Sequence, residues 1–158
     1  RCYRGRFHEM SLKTIWICCY STLSDKVTYD HGFEDVAQDA YYASAVAWAS
    51  LFNVTKGTSA TTFSPDAVCT RAQAVTFLYR YAKYLGMDVS SAGTVQPNFV
   101  DGDKIDSWAA DAVCWAYNSG IIQGKPGNML DPDGSATRAE AAVMLVRFLN
   151  LPKMDEQA

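Results

Sequence analysis

Two segments of the chain show the same spacing of apolar residues, and in each the spacing is that of an amphipathic helix. In the first segment the stripe consists of Tyr41, Ala45, Trp48 and Phe52. In the second segment it consists of Trp108, Ala112, Trp115 and Ser119. Because positions three and four residues apart share one face of a helix, each stripe predicts a short, alanine-rich helix. Asp106 is the predicted cap of the second of these helices, and Asn53 and Gly120 are their predicted ends.

A second helix is predicted in each segment from a capping signal at its start. Residues 70–73 are Thr-Arg-Ala-Gln, and residues 137–140 are Thr-Arg-Ala-Glu. In this capping-box pattern the first and fourth side chains satisfy backbone N–H groups that the helix itself leaves free. The predicted apolar faces are Ala74, Phe77, Leu78 and Tyr81 in the first segment, and Ala141, Met144, Leu145 and Phe148 in the second. A Pro-Asp pair before each start predicts a turn, so each segment is helix, loop, helix.

The two segments are copies of one unit. Residues 41–82 align without a gap on residues 108–149 at an offset of 67, and 14 of the 42 positions are identical. Such a unit completes its apolar face with a copy of itself, so a site at the junction is expected to recur. The predicted architecture is all-α, with a first motif at 33–85, a polar linker at 86–98 and a second motif at 99–150.

The two ends of the chain lie outside this pattern. Residues 1–32 are predicted to be a leader or a remnant, either a leftover strand or a disordered segment, and position 1 is not Met. Their apolar run at 14–20 is short for a signal peptide and much too short to span a bilayer. Without an initial Met, the chain is expected to be a fragment or a processed product. The charged tail at 151–158 is expected to fray.

The distribution of charge excludes several classes of partner. Residues 1–30 have a net charge of +2 and residues 31–158 a net charge of −5, which together give −3 for the chain. An acidic repeat region without lysine or arginine clusters argues against nucleic acid and against docking on anionic lipid. Both histidines, His8 and His31, lie outside the aligned copies, which removes the commonest general base from the repeated pattern.

The five cysteines do not form a recognisable framework, because their number is odd and none has zinc-site spacing. Cys69 and Cys114 stand where the other copy has alanine, so both are predicted to be small buried residues. A disulfide between these two remains open. The acidic turns at 101–106 and 131–134 lack the ligand set of a calcium loop, and solvated turns explain them better.

The ordered set of repeated residues resembles the S-layer homology domain. The resemblance rests on Phe99, Asp101, Ile105, Trp108, Ala112, Val113, Ala116, Gly120, Ile121, Ile122, Gly124, Leu130, Pro132, Thr137, Arg138, Ala139 and Glu140. The first copy departs from the pattern at Asn53, in place of a loop glycine, and at Gln73, in place of glutamate. The resemblance implies an all-α domain of three motifs in a spindle around a pseudo-threefold axis, with ligand grooves between motifs. This chain has two motifs, so a third would come from the same parent protein or from another chain.

The resemblance also implies a function. Such domains are non-catalytic anchors on the bacterial surface that bind a secondary cell-wall polysaccharide, often ending in a pyruvate-ketal sugar. It therefore implies an extracellular, wall-bound location, with no cofactor and no metal. The candidate ligand contacts are Arg71, Arg138, Gly57, Gly124, Trp48, Trp115, Trp108, Tyr41, Asp35, Asp101, Thr70, Thr137, Gln73 and Glu140.

Each residue type in that set suits part of an acidic sugar. An arginine one residue inside a helix start can pair bidentately with a carboxylate where the helix dipole already favours an anion. Glycine lets the backbone approach a sugar, aromatic rings offer flat apolar faces, and aspartate accepts hydroxyl hydrogen bonds. For Trp48 and Trp115 a place in the core is the stronger alternative. Arg80 and Arg147 also recur, and are expected to pair with acidic neighbours.

Two other functions compete with wall binding. The first is self-association, because two repeats leave an apolar face that another chain could complete. The second is a carboxylate-pair glycosidase. The carboxylates kept by both copies are Asp35 with Asp101 and Asp66 with Asp133, and a turn or cap explains each of them. An enzyme is therefore the weakest of the three hypotheses.

Overall fold

The computed structural model describes residues 31–93 and 98–152. Within these ranges it contains no β-strand and four α-helices: α1 (Ala43–Leu51), α2 (Arg71–Tyr84), α3 (Ser107–Asn118) and α4 (Arg138–Leu149), with a 3₁₀ turn at Gly102–Lys104. The all-α, helix-loop-helix prediction is confirmed. The predicted leader, apart from His31 and Gly32, lies outside the described residues, as do four residues of the linker and the tail from residue 153 onward.

The starts of α2 and α4 form the predicted capping boxes. The Thr70 hydroxyl accepts the Gln73 N–H at 3.2 Å, and the Gln73 amide oxygen accepts the Thr70 N–H at 2.9 Å. Thr137 and Glu140 repeat the arrangement with the same two distances, 3.2 and 2.9 Å. Each threonine cap contributes about 1 kcal/mol to stability, which makes these helix starts well determined.

The first helix of each copy ends as predicted, but begins less regularly. After α1, Asn53 adopts a left-handed backbone with φ 57°, and after α3, Gly120 does the same with φ 71°. Tyr41 precedes α1 rather than lying within it. Asp106 does occupy the N-cap position of α3, but its carboxylate makes no cap bond and accepts the indole N–H of Trp108 at 2.9 Å instead.

The core lies where α2 packs between α3 and α4. Its largest members are Trp115, Tyr79 and Phe148, with ring centroids of Tyr79 and Trp115 5.5 Å apart. The prediction for the apolar face of α2 is confirmed in part: all four residues, Ala74, Phe77, Leu78 and Tyr81, are half-buried, and all but Phe77 pack against the core. The apolar residues of α2 buried most deeply are instead Ala72, Val75, Tyr79 and Ala82. The reason is tertiary: α2 contacts α3 far more extensively than α4, so the face toward α3 is the closed one.

The corresponding prediction for α4 holds in part. Met144 and Phe148 are buried, whereas Ala141 and Leu145 are exposed. Helix α4 is the last described helix, and its buried residues face the core, where Phe148 packs against Tyr81 of α2 and Trp115 of α3.

The prediction for the cysteines is confirmed for one residue and wrong for the other. Cys114 is buried in α3, whereas Cys69 is exposed in the loop before α2, and the two form no disulfide with each other. Cys69 lies where this loop runs over the surface between the two copies, and its carbonyl accepts the N–H of Ala136 at 3.0 Å.

Candidate functional site

The start of α2 is the joint between the two repeats. The N–H of Arg71 donates to the carbonyl of Gly134 at 2.9 Å, and the N–H of Ala72 donates to that of Pro132 at 3.1 Å. The first free donors of α2 are therefore used by the loop before α4, in addition to the capping box. From the sequence, the free N–H groups of this helix start were expected to bind an anion. In the structure they bind the loop before α4 instead.

The side chain of Arg71 continues the joint into the second repeat. It is only 4% exposed, and its Nε donates to the carbonyl of Leu130 at 2.8 Å. Its Nη1 pairs with the Glu140 carboxylate at 2.6 Å, and its Nη2 reaches the carbonyl of Gln123 at 3.4 Å. A guanidinium from the first copy is thus held on three sides by the second copy.

Glu140 joins the capping box to this ion pair. One carboxylate oxygen accepts hydrogen bonds from the backbone N–H and the hydroxyl of Thr137, both at 2.9 Å. The other oxygen accepts the hydrogen bond from Arg71. These hydrogen bonds from Thr137 outweigh the cost of burial and, with Arg71 and Lys125 nearby, hold the pKa of Glu140 below its usual value. Sequence reasoning found both residues, but it missed that they meet.

A groove of about 270 Å³ opens beside this pair in the second repeat. Gly124 and Lys125 line one side of it, and Glu140 and Arg147 on α4 line the other, with Arg71 also lining it. Lys125 pairs with Asp131 at 2.6 Å, and Nη1 of Arg147 donates to the carbonyl of Ile121 at 3.2 Å. Every cation lining this groove therefore has a partner within the chain.

The first repeat has a larger groove at the corresponding place, with a volume of about 600 Å³. Lys56 and Gly57 line it from the loop, Gln73 and Arg80 from α2, and Trp108 from the start of α3. No carboxylate is among its lining residues. Trp108 is 49% exposed, and the bond of its indole to Asp106 restrains the ring.

The paired aspartates hold the loops of their own repeats. Asp35 accepts the N–H groups of Phe63 at 2.8 Å and Ser64 at 2.6 Å. Asp101 accepts those of Leu130 and Asp131, both at 2.8 Å. The bond from Phe63 is the main reason that the pKa of Asp35 lies below its usual value. For Asp101, desolvation raises the pKa, but the backbone bonds outweigh it and the net direction is again down.

The recurring loop glycines allow an aromatic ring to close the loop. Gly57 has φ +73°, and a Cβ there would lie 2.4 Å from the carbonyl oxygen of Thr62 and 2.5 Å from the ring of Phe33. At Gly124 the nearest atom would be the ring of Phe99 at 3.1 Å. Only glycine fits at position 57, and the close approach it permits is to the chain's own atoms.

The remaining candidates are scattered. Trp115 is fully buried and packs against Tyr79 and Phe148 in the core. Trp48 is half-buried in an aromatic cluster that Tyr81 connects to the core, and Tyr41 is almost fully exposed. Arg138 and Thr137 are exposed at the start of α4.

The structure therefore collects the candidates into two groups. Gly57, Gln73 and Trp108 line the first groove, and Arg71, Gly124 and Glu140 line the second. Sequence reasoning left out Lys56, Arg80, Lys125 and Arg147 from the site, although the recurrence of arginine at 80 and 147 was a signal for them. Neither arginine pairs with a described carboxylate, so the prediction of acidic partners for them was wrong.

None of the described helices has the length and apolar character needed to cross a membrane.

Comparison with known proteins gives the two repeats a family. The family model of the S-layer homology domain matches residues 32–75 and 98–142. A "Cell surface protein" of Thermoanaerobacter kivui is 33% identical over 123 residues, which cover 78% of this chain and 16% of that protein.

Two further relatives carry the same region in different proteins. The "Surface-layer 125 kDa protein" of Lysinibacillus sphaericus is 29% identical over 80% of this chain and 11% of its own length. The "Exoglucanase XynX" of Acetivibrio thermocellus is 30% identical over 92% of this chain and 13% of its own length. The chain thus spans 11% to 16% of the length of these three relatives.

Proposed function

Because the chain belongs to the S-layer homology family, we propose that it is a non-catalytic module that anchors an exported protein to the bacterial cell wall. Its ligand is a secondary cell-wall polysaccharide that carries pyruvate ketals. Relatives named as cell-surface and surface-layer proteins support the location, and the exoglucanase relative matches over only 13% of its length. The observation that carries the proposal is the pair of concave grooves, each lined by at least two basic side chains and a recurring loop glycine.

The chemistry of the ligand matches these grooves. A pyruvate ketal places one carboxylate rigidly on a sugar ring, so a positioned cation binds it with little loss of conformational freedom. The cations of the second groove already have partners within the chain, whereas Lys56 and Arg80 line the first groove with no carboxylate beside them. Of the carboxylates kept in both copies, Asp35 and Asp101 are engaged by backbone N–H groups in their own loops. That engagement supports binding rather than acid–base catalysis by these two.

Sedimentation of the chain with purified cell walls tests this function. We expect binding to native walls, and loss of binding to walls stripped of the polysaccharide or freed of its pyruvate. Arg138→Ala leaves the lining of both grooves intact, so it tests separately the contact that the sequence assigned to Arg138, and it should not unfold the chain because Arg138 is exposed. Equal binding to native and stripped walls would refute the ligand, and unchanged binding by Arg138→Ala would refute the role of that arginine.

We further propose that α4 docks a third repeat of the same kind, because it presents the face that α2 uses to bind the second repeat. The buried positions of α2 are Arg71, Ala72, Val75, Thr76, Tyr79 and Ala82. Their counterparts at an offset of 67 are Arg138, Ala139, Ala142, Val143, Val146 and Leu149, and all six are exposed. A head-to-tail contact of this type continues until a ring closes or another unit caps it.

Analytical sedimentation tests this docking with the chain as it is. Another copy of the chain can supply the missing repeat, so we expect association that increases with concentration. Val146→Glu, on the proposed face, should abolish it, whereas Val100→Glu, at an exposed valine elsewhere, should not. A chain that binds walls and stays monomeric at all concentrations would exclude association between copies.

A further inference from the structure

We propose that residue 73 keeps copies of this chain from docking tightly on one another, because Gln73 presents a hydrogen-bond donor where Glu140 presents an acceptor to an incoming arginine. The inference rests on the docking of α4 proposed above and names the surface of a second copy that receives it. It concerns the protein partner that this surface selects, not the wall ligand.

The first repeat has an open face where the second repeat is covered. Helix α3 packs extensively against α2, and Trp115 in α3 is fully buried. The matching Trp48 of α1 is only half-buried, and Ala45 is exposed although its counterpart Ala112 is buried. We define the receiving face as the positions of the first repeat that match the surface packed under α2 in the second, including Ala45, Trp48 and Gln73.

The indole of Trp48 indicates what covers this face. The indole N–H of Trp115 donates to the carbonyl of Asp88, just after α2, at 3.4 Å. The corresponding nitrogen of Trp48 is buried and has no hydrogen-bond partner among the described residues. The Met-Asp pair at 87–88 recurs at 154–155, so a second copy carries the same pair after α4. The occupant that fits the receiving face is therefore α4 of a second copy, followed by its own Met-Asp pair.

The receiving face differs from the second repeat at the residue that meets an arginine. Glu140 uses one oxygen for its capping box and the other for Arg71. Gln73 has a single side-chain oxygen, and the capping box of α2 already uses it to accept the Thr70 N–H at 2.9 Å. The other polar group of Gln73 is its NH₂, which can only donate. The acceptor that Glu140 offers to a guanidinium is therefore missing at residue 73.

An arginine that enters the receiving face would be buried without a counter-charge. Arg138 of a docked copy would take the place that Arg71 has in the second repeat, where it is only 4% exposed. Lys56 stands for Gln123, whose carbonyl accepts Arg71, so this site also gains a positive charge. No carboxylate is among the residues lining the groove that contains Gln73. Burial of an unpaired guanidinium is unfavourable, so docking between copies is weak.

Sedimentation equilibrium of the full-length Gln73→Glu variant tests this selection. The substitution keeps the capping box, because Glu140 forms the same box in the second repeat. It also supplies the missing carboxylate, so the dissociation constant between copies is expected to fall roughly tenfold or more, as for a charge-assisted hydrogen bond. Val100→Glu, at an exposed valine elsewhere, adds the same charge and should leave the constant unchanged.

A second substitution tests whether Arg138 is the partner of residue 73. Arg138→Gln combined with Gln73→Glu should remove most of the gain, whereas Arg138→Gln alone should not weaken the association of the parent chain. This difference is the coupling that a double-mutant cycle measures. Circular dichroism of each variant checks that its helices are formed, which separates a lost contact from a lost fold.

Three outcomes would overturn the selection. They are a Gln73→Glu variant that associates no more tightly than its parent, equal tightening by Val100→Glu, and a gain that survives Arg138→Gln. Failure of the proposals above has different signs. Association that Val146→Glu abolishes leaves the docking of α4 standing whatever residue 73 does, and binding of the parent chain to native walls leaves the anchoring function standing.

Discussion

Arg71 and Arg138 are the same residue at the same position of two copies, and they lie in opposite surroundings. Arg71 is buried and pairs with Glu140, whereas Arg138 is exposed at the start of α4. Both follow a capping threonine, and both capping boxes are complete. The difference comes from the neighbour: a second repeat follows Arg71, and no described repeat covers Arg138. A repeated motif therefore specifies its own helix start, while the following unit decides what the motif's arginine does.

The largest expected effect is the difference in folding stability between alanine variants of these two arginines. Arg71→Ala would leave Glu140 and two carbonyls without their cation, so we expect unfolding to be easier by about 3 kcal/mol. Arg138→Ala should change stability by no more than about 0.5 kcal/mol, as for an exposed side chain. Urea unfolding followed by circular dichroism measures both. Equal losses in the two variants would mean that burial does not distinguish the two copies.

The loop glycines give the next contrast. Gly57→Ala combines a left-handed backbone with a Cβ that overlaps the carbonyl of Thr62, and we expect a loss of about 2 kcal/mol. At Gly124→Ala the tightest contact is the ring edge of Phe99, at 3.1 Å, and the other two neighbours lie at an ordinary 3.5 Å, so the change should cost less than about 1 kcal/mol. Thermal unfolding of the two variants checks the order. A larger loss at Gly124 would reverse our account of the two loops.

The two aspartates that bind backbone N–H groups in their own loops, Asp35 and Asp101, predict how stability depends on pH. The folded-state pKa values of Asp35 and Asp101 are both lowered. Their stabilising contribution is therefore complete above the unfolded-state pKa, near pH 4, and is lost as the pH falls through the folded-state values. Asp101→Asn should cost about 1.5 kcal/mol at pH 7, because Asp101 is buried, and Asp35→Asn should cost less.

Urea unfolding at a series of pH values between 7 and the acid limit measures this dependence. Each asparagine variant should lose less stability on acidification than the parent chain does, because the titrating group is gone. An acid dependence identical to that of the parent would show that these carboxylates do not titrate with folding.

Some parts of the candidate site were predictable because they are local. The capping boxes, the left-handed residues after α1 and α3, and the paired loop glycines depend on residues within a few positions of one another. The prediction for Cys69 failed because an alanine in the other copy says nothing about exposure in a loop. The most deeply buried face of α2 was missed for a similar reason, since the choice between two apolar faces depends on where α3 lies.

The sequence by itself determined the unit: two helices in each copy, the capped starts of α2 and α4, the left-handed residues after α1 and α3, and the family to which the repeats belong. These features follow from hydrogen bonds and backbone conformations that neighbouring residues control. Only the tertiary structure decided that Arg71 reaches Glu140, that Trp115 is core while Trp108 lines a groove, and that Arg80 has no described counter-charge. Burial and ion pairing join residues far apart in the chain, such as 71 and 140, so they depend on how the repeats pack together.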